Sequence, residues 1–226
     1  MKGRKLLMIP GPIEFEPEVL QAMSIPTTSH VAPEFIAAFG RALQMMREVW
    51  LSETGQPFIL AGSGTLAMDM AVANVVEPGD RVLVYNTGYF SDRMRAMLER
   101  YGAEVTMCEA EIGHVASLEA VEGALKSGDY KAVTITYVDT STGVMADVKS
   151  IAALAAQYGA FSIVDGVCAT AGVELRQEEW GVDIYLTASQ KAIGVPPGLA
   201  LLVVSQKFLD WFKTRKTPVM NYYADI

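Results

Sequence analysis

Histidine and cysteine are scarce in this sequence, at two each in 226 residues, and the scarcity removes several kinds of chemistry at once. His30 and His114 stand far apart, and neither is spaced with Cys108 or Cys168 as a zinc site requires, so no metal ligand set is expected. Cys108 and Cys168 each sit in an apolar stretch. They read as buried free thiols rather than a disulfide framework, which suits a reducing cytoplasm. Basic residues are not in excess: 18 Lys and Arg against 26 Asp and Glu give a net charge of -8 with no basic stripe, which excludes a nucleic-acid footprint. No apolar run approaches the roughly 20 residues of a membrane-spanning helix. Lys2-Gly-Arg-Lys5 with Leu6-Leu-Met-Ile9 imitates a signal peptide only until Pro10-Gly-Pro12 ends the run, so no export signal is read. Internal repeats, low-complexity linkers and the G-x-x-x-x-G-K-[ST] nucleotide loop are also missing.

What is present is an ordinary globular composition, 51% hydrophobic and 19% charged, organised as short apolar runs alternating with stretches of helical period. Strands are expected at Phe58–Ala61, Arg81–Tyr85, Glu104–Met107, Ala132–Tyr137, Phe161–Asp165, Ile184–Thr187 and Leu199–Val204. Helices are expected at Pro33–Trp50, Thr65–Val76, Phe90–Tyr101, Leu118–Leu125 and Val148–Tyr158. On the first of these, Phe35, Ala38, Phe39, Ala42, Met45, Met46 and Val49 share a face and read as a core stripe. The runs lack polar alternation, as strands buried on both faces do. The expected fold is therefore α/β, a mainly parallel seven-stranded sheet flanked by helices in three layers.

In such a sheet a ligand lies beyond the carboxyl ends of the strands. Polar, glycine-bearing clusters stand there: Gly62-Ser-Gly-Thr65, Asn86-Thr-Gly-Tyr-Phe90, Asp139-Thr-Ser-Thr-Gly143, Asp165-Gly-Val167 and Ala188-Ser-Gln-Lys191. Lys191 falls in a tight turn between two core strands, where partial desolvation lowers an amine pKa and frees it to attack a carbonyl; a lysine snorkelling out of a loop is the ordinary alternative. Gly62–Thr65 opens a helix and offers N–H groups and hydroxyls to a phosphate, although a glycine turn with a simple cap explains it equally well alone. With Ala67 it also fits G-x-G-x-x-A, but Asn86 and Thr87 follow the next strand where a ribose-binding acid is needed, which disfavours NAD. Asp165 ends a strand deep in the crevice and needs a cationic partner, such as a protonated ring nitrogen, unless it is a cap or a structural ion pair. An aldehyde-reactive lysine, an acidic ring-nitrogen partner and a phosphate seat are together the requirements of pyridoxal phosphate.

The chain resembles the large domain of class V aminotransferases of pyridoxal-phosphate fold type I, and among them the alanine-glyoxylate and serine-pyruvate or serine-glyoxylate group. The resemblance is carried by Met8-Ile-Pro-Gly-Pro12, Ala61-Gly-Ser-Gly-Thr-Leu-Ala-Met-Asp69, Glu77-Pro-Gly-Asp80, Thr140-Ser-Thr-Gly143, Ile163-Val-Asp165, and Ser189-Gln-Lys-Ala192 with Pro196-Pro-Gly198. It implies pyridoxal 5'-phosphate as cofactor and transamination between alanine or serine and glyoxylate or pyruvate. Lys191 would form the aldimine and carry the substrate α-proton, and Asp165 would keep the pyridine nitrogen protonated. Ser63, Gly64, Thr65 and Gln190 would hold the phosphate. Phe90 would stack on one ring face, with Tyr89 as competitor, and Val167 would pack on the other. Thr140 would bond near the phenolic oxygen. Gly11 is similar to the segment that approaches the substrate carboxylate, or is merely a stiff turn.

Many relatives have His in place of Thr65 and Trp in place of Phe90, and these changes still leave a phosphate donor and a stacking ring. The resemblance divides the chain into an N-terminal arm with a first short helix (1–30), the cofactor-binding large domain (31–215) and the start of a junction (216–226). A smaller C-terminal domain, absent here, would supply the arginine that clamps the substrate carboxylate, and none of the arginines matches that position. It further implies a homodimer with shared active sites. Two alternatives stay open: a non-catalytic or split fragment completed by a second polypeptide, and a related pyridoxal-phosphate lyase. Desulfuration is disfavoured, because both cysteines lie in apolar runs.

Overall fold

A computed structural model describes residues 5–226; the basic Lys2-Gly-Arg4 start lies outside the described residues. Fourteen elements follow in chain order: α1 (Pro17–Ala22), α2 (Pro33–Trp50), β1 (Gln56–Ala61), α3 (Gly64–Val75), β2 (Arg81–Tyr85), α4 (Tyr89–Arg100), β3 (Glu104–Cys108), α5 (Leu118–Lys126), β4 (Ala132–Thr136), α6 (Val148–Gln157), β5 (Phe161–Asp165), β6 (Ile184–Ala188), β7 (Leu199–Val204) and α7 (Gln206–Phe212).

The strands form one sheet in the order β1-β7-β6-β5-β4-β2-β3. β3, β2, β4, β5 and β6 pair in parallel, and β7 runs antiparallel to both β6 and β1. Every expected strand is present, with ends within two residues of the reading. The continuous apolar runs arise because both faces are covered. Leu83, Tyr85, Val133, Ile135 and Val164 meet α2, α5 and α6 on one side; Val82, Val84, Ile163, Ile184 and Leu186 meet α3, α4 and α7 on the other. This is a three-layer α/β/α architecture.

Local chemistry fixes the helix starts. Ser117, Asp147 and Ser205 accept N–H bonds from Ala120, Ser150 and Phe208 at the heads of α5, α6 and α7. α2 begins on Pro33, whose fixed φ suits a first helical position. α7 has no counterpart in the sequence reading, because seven residues are too few to show a helical period.

The α2 stripe corrects its reading as core. Only Met46 and Trp50 of this helix are buried; Phe35, Phe39 and Val49 are 38–41% exposed and Met45 is 59% exposed. α2 touches the sheet at its carboxyl-terminal end, over β1, and holds the rest of its apolar face away from it. Among the described residues no helix is long and apolar enough to cross a membrane.

Candidate active site

One cavity of about 200 Å³ opens at the carboxyl ends of the parallel strands. It gathers Gly11, Ser63, Gly64, Thr65, Phe90, Thr140, Asp165, Val167, Gln190 and Lys191, all the residues singled out from sequence, although they are spread from position 11 to 191. The convergence follows from topology: each lies in the arm, at the end of a strand, or in the loop or first helical turn that follows one.

Lys191 stands in the loop between β6 and β7. Ser189, 1% exposed, pins that loop by donating to the Pro196 carbonyl (2.7 Å) and accepting from Leu199 N–H (3.3 Å). Gly194 N–H closes a turn onto the Lys191 carbonyl at 2.9 Å. The N-terminal arm crosses the lysine, held by Ile13 N–H on the Gln190 carbonyl at 3.2 Å. Gly11 is where it comes closest: a Cβ there would overlap Lys191 Cδ and sit 2.9 Å from Cε, and its φ of +150° is itself a glycine conformation.

Asp165 ends β5 at 3% exposure. Burial pushes its carboxyl from an ordinary 3.8 up to about 6; the Val167 N–H bond (3.0 Å) and the charges of Arg93 and Lys191 pull it down, while Asp139 pushes it further up. A cation brought against this carboxylate is therefore strongly favoured.

At the opposite end, Ser63 occupies the N-cap of α3 yet makes no capping bond with its side chain. The helix thus keeps its first N–H groups and this hydroxyl available, with its positive dipole end facing the cavity. Gly64 keeps the turn tight, since a Cβ would lie 3.0 Å from Val167 Cγ2 and 3.2 Å from Ala188 Cβ. Gln190 Oε1 is buried without a hydrogen-bond partner, an acceptor left for a donor group.

Asp139 is the organiser that sequence reasoning left without a role. It is fully buried, and its carboxylate accepts from Phe90 N–H (2.9 Å), Ser141 N–H (2.8 Å) and Ser141 Oγ–H (2.6 Å). Tyr89 N–H in turn donates to Ser141 Oγ at 3.0 Å. These bonds tie the β4 loop to the head of α4 and so set Phe90 and Thr140 relative to one another. Gly88 allows the approach: its φ is +152°, and a Cβ would fall 2.7 Å from Asp139 Cγ.

The geometry separates the two stacking candidates. Phe90 lines the cavity, whereas Tyr89 is 57% exposed and borders a neighbouring polar depression with Asn86, Asp92 and Glu109. Cys168 departs from its reading as a buried thiol. It is half-buried, lines the cavity and lies 2.6 Å from Thr140 Oγ1, because it follows the end of β5 in a loop rather than continuing a strand. Its exclusion as a reactive thiol on grounds of burial does not hold. Met68, Thr136, Val138 and Arg93 also line the cavity unforeseen. Among them only Arg93 left a sequence signal, standing three residues after Phe90 on one helix face. Among the described residues, no group of three His, Cys, Asp or Glu could hold a metal ion.

Fold and cavity together define the large domain of a pyridoxal-phosphate enzyme of fold type I. Residues 20–218 match the family model for class-V aminotransferases. Alanine-glyoxylate aminotransferase 1 of Saccharomyces cerevisiae is 43% identical over 219 residues, covering 93% of this chain and 57% of that protein. Serine-glyoxylate aminotransferase of Arabidopsis thaliana is 32% identical, covering 95% of this chain and 55% of its own length. The crystal structure of an alanine-glyoxylate aminotransferase from Nostoc superposes with a TM-score of 0.95 at 35% identity, over 100% of this chain and 60% of that one. The chain belongs to the class V aminotransferases, and spans a little over half the length of these relatives. That class depends on pyridoxal phosphate, and the donor set here fits it: an amine, a buried carboxylate, an aromatic face and an uncapped helix N-terminus.

Proposed function

We propose that this chain carries the cofactor-binding half of a transaminase active site that moves an amino group between alanine or serine and glyoxylate or pyruvate. The observation that carries the proposal is the opening of Lys191, Asp165 and the Ser63–Thr65 turn onto one cavity. When bound, pyridoxal phosphate supplies an electron sink for charge developing at the substrate α-carbon. Lys191 is the amine that would hold the cofactor's aldehyde end, and the same amine would hold and move the substrate α-proton. Asp165 keeps the pyridine nitrogen protonated, which relieves its own cost of burial. Phe90 and Val167 line the cavity and would pack on the two faces of the ring. Ser63, Gly64, Thr65 and Gln190 would hold the phosphate, and Thr140 would hydrogen-bond near the phenolic oxygen. Gly11 keeps the arm thin enough for the Lys191 side chain to move and for a small substrate to approach.

Residues 31–215 form the large domain of this reading, with 1–30 as an arm and 216–226 as the start of a junction. The exposed apolar residues of α2, continued by Leu20, Met23 and Ile25, support a homodimer in which a second copy covers this face. Two free thiols suit a reducing cytoplasm. Glyoxylate recurs in the names of relatives whose amino donors differ, which supports it as the acceptor.

The test supplies the chain with pyridoxal phosphate, glyoxylate and either alanine or serine, and follows glycine and the matching 2-oxo acid by mass spectrometry. Glycine formation lost in Lys191→Ala is expected. Ammonia and pyruvate from serine without glycine would indicate a lyase instead.

A further inference from the structure

Arg93 lines the cavity, yet no role has been given to it. It lies one turn after Phe90 on α4, with its guanidinium carbon 4.6 Å from the Phe90 ring centroid and 5.3 Å from that of Tyr89. Its Nη1 donates to Thr65 Oγ1 at 3.0 Å. Among the described residues no carboxylate is within ion-pair distance of it. A half-buried cation with no carboxylate in contact among the described residues, held against an aromatic face and a hydroxyl, is arranged to receive an anion.

The anion end of the cavity needs such a charge. Its other donors, the α3 N–H groups, Ser63, Thr65 and Gln190, are neutral, and a helix terminus contributes only about half a positive charge. A phosphate monoester carries roughly 1.5 to 2 negative charges at neutral pH. We propose that Arg93 is the charge partner of the cofactor's phosphate, acting from beside the α3 N-terminus and through Thr65. The inference rests on the pyridoxal-phosphate reading of the cavity. Because Thr65 Oγ accepts from Arg93, its own proton is free to donate into the cradle, and the guanidinium polarises that hydroxyl towards donation. A planar guanidinium has five N–H donors, so one bond to Thr65 leaves others for phosphate oxygens.

The experiment compares pyridoxal phosphate with pyridoxal, which lacks the phosphate, as ligands of the parent chain, Arg93→Gln and Arg93→Lys. Affinity is read from the absorbance change on binding, and melting of the cofactor-free variants checks their fold. Arg93→Gln is expected to weaken pyridoxal phosphate about 10- to 100-fold, as loss of a hydrogen bond to a charged group does, and to leave pyridoxal within about 3-fold. Inorganic phosphate should compete with pyridoxal phosphate less well in the variant than in the parent, and Arg93→Lys should restore part of the loss. Equal weakening of both ligands would show that Arg93 only supports the Phe90 ring, and would overturn the assignment. So would unchanged binding of both. A parent chain that binds neither ligand would overturn the cofactor reading itself, a result distinct from these.

Discussion

Replacing Asp165 with asparagine should stabilise the cofactor-free protein while disabling it. The carboxyl is buried and titrates at about 6 instead of 3.8, so the folded state holds its proton more tightly than the unfolded chain does. For an acid with a raised folded value, stability falls as pH rises between the two values, and the full cost of ionisation is present above pH 6. The gap corresponds to about 3 kcal/mol at pH 8, shrinking to about 1 kcal/mol at pH 4.5. Asparagine is never ionised and can still accept the Val167 N–H bond through Oδ1. Urea denaturation of cofactor-free Asp165→Asn and parent at both pH values should therefore show a gain of up to about 3 kcal/mol at pH 8. That gain corresponds to roughly 6–12 °C in melting temperature for a chain of this size. The gain should be much smaller at pH 4.5. A variant no more stable than the parent at pH 8, or one with the same advantage at both pH values, would refute the reasoning.

Asp139→Ala removes a buried carboxylate and its three hydrogen bonds from the joint between the β4 loop and α4, and should cost about 3 kcal/mol or more together with a weaker hold on pyridoxal phosphate. A loss under about 1 kcal/mol in urea denaturation would show that water replaces the carboxylate. Gly11→Ala places a methyl against the Lys191 stem and should slow reaction of Lys191 with pyridoxal phosphate by about tenfold in stopped-flow absorbance, a cost of about 1.4 kcal/mol. An unchanged rate would mean that the arm yields freely. Phe39→Asp with Met45→Glu puts charge on the exposed α2 face and should shift sedimentation from dimer to monomer with the sheet intact. A parent chain that is monomeric at every concentration would remove the basis for that interface.

The sheet was legible because burial on both faces leaves the central strands as runs with no charged residue in their interior, most plainly at Leu199–Val204. The site was legible because loops at one end of a parallel sheet converge, so that Ser63, Asp165 and Lys191 could be placed together from their positions after strands. Periodicity says which helix face is apolar but not what covers it, and Phe39 and Met45 were accordingly misplaced in the core. Cys168 was misjudged because the apolar stretch around it crosses from β5 into a loop that faces the cavity. Asp139, and Arg93 beyond its spacing from Phe90, could not be singled out for a different reason. A strand-end aspartate and a helical arginine are common, and what distinguishes these two is partners 49 and 28 residues away, Phe90 and Thr65.

The most direct measurement is the site of covalent capture. The chain is incubated with pyridoxal phosphate, reduced with borohydride, digested and mapped by mass spectrometry. One predominant adduct on the peptide containing Lys191, absent from Lys191→Ala, is the predicted result. No adduct, or one scattered over the surface lysines with Lys191 unmodified, would contradict the assignment of this cavity.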